Sequence, residues 1–160
     1  MAYIKLLRSK DWAKNLFLFV PLFFAGEIFH LDKIVSIAWG FLAFCCIASS
    51  IYILNDFRDR EEDKKHPFKR MRPLASGAIK PATALIIFAL LVVTGMGLAY
   101  WIRDKFLFVL AIYFVLNVAY SFGLKNVPIL DIIIVAIGFV LRIKAGAVIA
   151  KVGLSEWLDI

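Results

Sequence analysis

"IVSIAWGFLAFCCIASSIYILNDFRDREED", residues 34–63, joins two incompatible kinds of sequence. Its first 21 residues, Ile34 to Leu54, carry no charge. A helix rising about 1.5 Å per residue needs about 20 apolar residues to cross a hydrocarbon layer of about 30 Å, so this block can span a membrane. The nine residues that follow hold three Asp, two Glu and two Arg. A spanning helix that runs straight into carboxylates places them at the membrane surface, at the mouth of whatever bundle the helix joins.

The rest of the chain repeats the apolar theme. Pro81 to Ile102 is 22 residues without a charge and Phe106 to Leu124 is 19. The whole chain is 62% hydrophobic with a mean hydropathy of +0.85, far from a soluble average. Two more blocks are less uniform. Leu16 to Gly26 contains Pro21 and extends from Trp12 to Phe29 if Lys14 and Glu27 sit at the interfaces. Pro128 to Ala150 is long enough but contains Asp131, Arg142 and Lys144. The expected fold is all-α: a polytopic membrane helix bundle of about five spans, one domain over residues 1–160. The first block has no small-residue cleavage site and further spans follow, which argues against a cleavable signal peptide. Cys45 and Cys46, adjacent in an apolar helix, are badly placed to bridge or to bind zinc, and read as two small apolar residues.

Charge distribution orients the bundle. Lys5, Arg8, Lys10 and Lys14 precede or enter the first block, and residues 55–80 hold eight of the 19 Lys and Arg. The loop from Glu27 to Lys33 has one and that from Arg103 to Lys105 has two. The positive-inside rule therefore predicts a multi-pass cell-membrane protein with its N-terminus and the 55–80 loop in the cytoplasm. The net charge of +7 is accounted for by this asymmetry and by attraction to anionic membrane lipid, without nucleic acid. Two crossings after residue 80 return the chain to the same face at residues 120–131. Lys125 and Asp131 can then meet Asp56 and Asp59 whichever way the bundle is inserted.

On a helix, Asp56, Asp59 and Asp63 lie within about 60° of one another around the axis. Like charges at this spacing repel, so something must compensate them. A solvated surface whose acids pair with Arg58, Arg60 and Lys64 is one answer. A hard divalent cation is the other, since Mg²⁺ takes one or two carboxylates together with phosphate oxygens. His66, Lys69, Arg70 and Arg72 follow, suited to phosphate, so the 55–80 loop reads as a metal and diphosphate site. Within the last block charges are costly and line a cavity or pair. Asp131 and Arg142 stand about 16 Å apart along one face, too far to pair with each other. Asp131 suits a site facing the carboxylates. Arg142 suits either a buried acid partner or a substrate.

These residues resemble the UbiA superfamily of membrane prenyltransferases, whose first signature, N-D-x-x-D-x-x-x-D, is matched by Asn55, Asp56, Asp59 and Asp63. "RSKDWAKNLFLFVPLFFAG" (residues 8–26), "DKKHPFKRMRPLASG" (63–77) and "YSFGLKNVPILDIIIVAIGFVLRIKAGA" (120–147) are similar to segments of its decaprenyl-phosphate phosphoribosyltransferase branch. Ser9 and Asp11 stand where that branch carries Pro and Gln. The resemblance implies transfer of a phosphoribosyl group from phosphoribosyl pyrophosphate to a polyprenyl phosphate. It implies Mg²⁺ held by Asp56, Asp59 and Asp63, and contacts to substrate from Lys14, Asn55, Lys69, Arg70, Arg72 and Lys125, with His66 beside them. Tyr120 and Asp131 would complete the cavity, so that Asp56, Asp59 and Asp131 carry the chemistry. Two other readings stay open: prenyl transfer to an aromatic acceptor, and a non-catalytic relative that only holds anionic lipid.

The resemblance also implies nine helices. The chain reaches "LSEWLDI" at residues 154–160, where a sixth would begin. The 160 residues read equally as a fragment, as a truncated gene product, or as a unit whose bundle another copy or a second chain completes, and the chain alone is expected not to catalyse transfer.

Overall fold

In the computed structural model, which describes residues 1–153, every regular element is helical. A short helix, α1 (Ala2–Leu7), leads into a 3₁₀-helix over Ser9–Phe19 and then α2 (Val20–Phe24). Four long helices follow: α3 (Leu31–Lys65), α4 (Pro81–Ile102), α5 (Asp104–Ser121) and α6 (Pro128–Ala150). All four are long and apolar enough to cross a membrane. The expected start of a sixth helix falls at 154–160, outside the described residues.

Local chemistry sets these boundaries. Pro81 and Pro128 open α4 and α6, where the missing N–H costs nothing and the fixed φ favours the first turn. At 35 residues α3 is about 52 Å long, so its last turns rise clear of a hydrocarbon layer of about 30 Å. Those turns carry Asp56, Asp59 and Asp63.

Of the five expected spans, the first, over residues 12–29, is not among these four and is not one α-helix. At about 2.0 Å per 3₁₀ residue, Ser9 to Phe24 still measures about 30 Å. It runs antiparallel to α3, with Trp12 beside Ser49 and Phe19 beside Phe41. Side chains three apart eclipse in a 3₁₀-helix, and Asn15 and Leu18 are completely buried on one edge while Leu16 and Phe17 face outward. Runs of this form seldom exceed four residues. Here the bundle holds it: Trp12 Nε1 donates to Ser49 Oγ at 2.9 Å, and Asn15 Nδ2 donates to Cys45 Sγ at 3.3 Å. Cys45 is thus a buried neighbour of Asn15, in keeping with its reading as a small core residue.

Gly146 allows the closest approach to a neighbouring backbone. A Cβ on Gly146 of α6 would overlap the Leu18 carbonyl oxygen and lie 2.8 Å from its carbon, and backbone has nowhere to go. Gly146→Ala is expected to cost about 1–3 kcal/mol by overpacking and to lower the detergent melting temperature by several degrees. Gly97→Ala, with nothing within 4 Å of its Cβ, should melt like the wild type; equal melting of all three proteins would refute the close approach.

The main core surrounds Phe44, whose ring lies 4.9 Å from Tyr113 and 6.2 Å from Phe106. A second, smaller core of Leu6, Ile53, Leu74, Ile79 and Ala84 sits at the surface end of α3 and α4. It pins α1 and residues 74–79 against the bundle. The loop after α3 is therefore anchored beyond its basic stretch, which places Arg72 against the carboxylates.

Candidate active site

Asp56 is 2% exposed, a burial that disfavours its charge, and two guanidinium groups close over it. Arg8 Nη2 donates to its Oδ1 at 2.5 Å and Arg72 Nη1 donates to the same oxygen at 3.2 Å. The Arg72 nitrogen also donates to Asp63 Oδ2 at 3.0 Å, tying the first and third acids of the motif together. Asp59 faces α5's far end, where Lys125 Nζ donates at 2.8 Å to both carboxylate oxygens and lies 3.5 Å from Asn55 Oδ1. The helix count alone brings Lys125 to this place.

These groups border a cavity of about 440 Å³, lined by Asn55, Asp59, Glu62, Asp63, His66, Lys69, Arg72, Tyr120, Lys125 and Asn126. Its volume is ordinary for a ligand pocket. Three carboxylates and three Lys or Arg share the wall, so it is balanced in charge. His66 shapes its rim: Nδ1 accepts from the backbone N–H groups of Phe68 and Lys69 at 3.1 and 3.2 Å, which leaves the ring proton on Nε2.

Several expected residues lie elsewhere. Asp56 is below the wall, about two turns deeper along α3 than Asp63, sealed there by Arg8 and Arg72. Among the described residues no three His, Cys, Asp or Glu side chains gather as a ready metal cluster: Asp59 is held by Lys125, while Asp56 and Asp63 share Arg72. Arg70 does not line the cavity and is exposed. Asp131 stands behind Tyr120, whose hydroxyl donates to its Oδ1 at 2.6 Å. Lys14 lines a second cavity of about 300 Å³ with Tyr52, Tyr113, Asn117, Tyr120 and Arg142 among its neighbours. Tyr120 borders both cavities, so they adjoin there.

Arg142 has no acid partner among the described residues, so of its two readings the buried ion pair is not the one formed there. Nε donates to Asn15 Oδ1, Nη1 to Gly138 O and Nη2 to Tyr113 Oη, each at 2.9 Å. Its guanidinium carbon lies 4.9 to 5.7 Å from the ring centres of Tyr113, Phe139 and Phe44. Neutral oxygens and aromatic faces replace the carboxylate. Other residues of the site were not foreseen. Glu62 lies one helical turn from Asp59, a signal the spacing did contain. Arg8, 48 residues from Asp56, gives no local sign of its role.

The donor set suits a hard cation bound with a diphosphate. Asp59 and Asp63 offer carboxylate oxygens and Asn55 an amide oxygen from one wall, while Lys69, Arg72 and Lys125 face them. A polyphosphate alone would upset the charge balance of the cavity. A divalent ion accompanying it would offset most of that added charge, with acids turning to the metal and cations to phosphate.

Comparison with known proteins bears on the fold and the family. The chain is 40% identical to decaprenyl-phosphate phosphoribosyltransferase of Mycolicibacterium smegmatis over 96% of its own length and 50% of that protein's. Against the Corynebacterium glutamicum enzyme of the same name the figures are 39%, 96% and 48%. The chain thus spans about half the length of these curated relatives. Among solved structures, a UbiA homologue from Archaeoglobus fulgidus bound to GPP and Mg²⁺ superposes with a TM-score of 0.78, covering 98% of this chain and 56% of that one at 23% identity. A structure described for digeranylgeranylglyceryl phosphate synthase gives 0.81, over 92% and 52% at 22% identity. The sequence matches the UbiA prenyltransferase family over residues 16–158. With the signature of Asn55, Asp56, Asp59 and Asp63 set at the mouth of a multi-pass membrane helix bundle, the chain belongs to the UbiA prenyltransferase family.

Proposed function

We propose that this chain is the donor-binding half of a Mg²⁺-dependent transferase that moves a 5-phosphoribosyl group from phosphoribosyl pyrophosphate to a polyprenyl phosphate. The observation that carries the reading is the charge-balanced cavity of Asp59, Glu62 and Asp63 against Lys69, Arg72 and Lys125, which shares Tyr120 with a second cavity. The identity of about 40% to two decaprenyl-phosphate phosphoribosyltransferases supports this choice of substrates.

In this reading Asp59 and Asp63, with Asn55, hold the metal, and Asp56 positions Arg72 from below. Bound Mg²⁺ supplies a counter-charge for the diphosphate. Lys69, Arg72 and Lys125 and the Nε2 proton of His66 bind the phosphate oxygens and stabilise the negative charge that grows as the bond from ribosyl C1 to diphosphate breaks. A bond forms between C1 and an oxygen of the lipid phosphate. That oxygen is already anionic, so no strong base is needed. Asp131 orients Tyr120 where the cavities adjoin, and Lys14 offers a cation to the acceptor phosphate in the second.

Binding and transfer test the reading separately. The first cavity is built wholly from residues 55–126, so the 160-residue chain itself is expected to bind phosphoribosyl pyrophosphate in a Mg²⁺-dependent manner. Transfer of label into the lipid fraction is expected once the remaining helices of the family fold are present. Entry of label from prenyl diphosphate into an aromatic acid would replace this reading with aromatic prenylation. Absence of binding to either donor would leave a lipid-holding relative.

The same reading places the N-terminus and residues 55–80 in the cytoplasm. Lys65→Cys should then react with an impermeant thiol reagent only after the membrane is opened from the cytoplasmic side. Reaction from outside intact cells would reverse the orientation.

A further inference from the structure

On the membrane face opposite the carboxylate cavity, Arg103, Lys105, Lys144 and Lys151 line a depression of about 240 Å³. The directions of the helices fix this placement. α4 starts beside the 66–80 loop at Pro81 and α6 starts near Lys125 at Pro128, so Ile102 and Ala150 end on the far side. None of the four cations pairs with a carboxylate among the described residues, whereas Arg8, Arg72 and Lys125 all do on the other face. Glu27, on the same far side, is taken by Lys33, and Asp32 and Asp104 do not line the depression.

Part of this charge answers the fold. Arg103 Nη1 donates to the Val148 carbonyl at 2.8 Å and so meets the negative end of the α6 dipole. Lys144 has no such explanation. It stands six residues, about 9 Å, before the end of an apolar spanning helix, where a cation is costly unless it reaches the headgroup level or meets an anion. Its stem can follow the helix outward toward Lys105 and Lys151, but doing so gathers like charges. Between the cations the lining is apolar, with Ala147, Val148 and Val152. Positive charge above apolar wall at membrane depth matches an amphiphile with an anionic head.

We propose that this depression is a lipid site holding the phosphate of an anionic phospholipid in the leaflet opposite the carboxylate cavity. The inference does not depend on the reaction assigned to that cavity. The test is native mass spectrometry of the detergent-solubilised full chain titrated with phosphatidylglycerol or phosphatidylcholine. The wild type should retain phosphatidylglycerol in preference. Lys105→Gln combined with Lys144→Gln should weaken the tightest phosphatidylglycerol by about thirtyfold, as expected for two basic residues at a membrane surface. Lys64→Gln, on the other face, should leave that lipid in place, and Lys144→Arg should retain it because charge and reach are kept. Equal retention by the wild type and the double glutamine variant would overturn the proposal, as would equal retention of the two lipids. Displacement by millimolar inorganic phosphate would overturn it too, by assigning the cations to a soluble anion.

Discussion

Asp59→Asn is expected to weaken Mg²⁺-dependent binding of phosphoribosyl pyrophosphate by at least about a hundredfold, because a hard cation needs the carboxylate charge that the amide lacks. The variant keeps the shape of the side chain. It also keeps the fold, because Asp59 and Lys125 are 23% and 27% exposed and a pair this accessible contributes about 0–1 kcal/mol. Isothermal titration with and without Mg²⁺, alongside a melting curve, separates the two effects. Wild-type affinity with unchanged Mg²⁺ dependence would remove Asp59 from the metal site. Asp56→Asn should behave differently: its carboxylate lies below the wall, so the primary damage is to the anchoring of Arg8 and Arg72.

Arg142→Ala is expected to do the opposite, leaving donor binding by the folded protein intact while destabilising it by about 3–5 kcal/mol. The side chain is 5% exposed and supplies donors to Asn15 and Tyr113, which would be left buried with lost partners beside a new void. For a chain of this length that corresponds to a fall of about 10 °C in melting temperature. Arg142→Lys should recover only part of the loss, since an ammonium cannot reproduce the fork that reaches three oxygens. A melting temperature within two degrees of wild type for the alanine variant would show that the Asn15–Arg142–Tyr113 network does not hold the first segment to the bundle.

The contrast between these residues shows what the sequence made legible. Period and length announce α3, α4 and α5, since uncharged runs near 20 residues have few other uses. The shared face of Asp59 and Asp63 follows from helical angles, and the meeting of Asp59 with Lys125 follows from counting crossings. The partners of Asp56 and Arg142 do not. Arg8 reaches Asp56 across 48 residues and Arg142 reaches Asn15 across 127, distances over which no spacing rule operates. The 3₁₀ form of residues 9–19 was also hidden, because hydropathy reports that a segment is apolar but not how many residues it spends per turn. Burial at Asn15 and Leu18 with exposure at Leu16 and Phe17 makes the three-residue period visible only once the neighbours are in place.

That period makes the stretch from Trp12 to Leu18 intolerant of insertions in a particular way. One added residue would turn everything on its far side by about 120° and swing Leu18 away from α6. Three added residues would restore the facing edge but shift Leu18 about 6 Å along α3, off the gap that Gly146 leaves for its carbonyl. Neither correction can be made without losing the other. The length of this segment is thus fixed by its fit to one glycine.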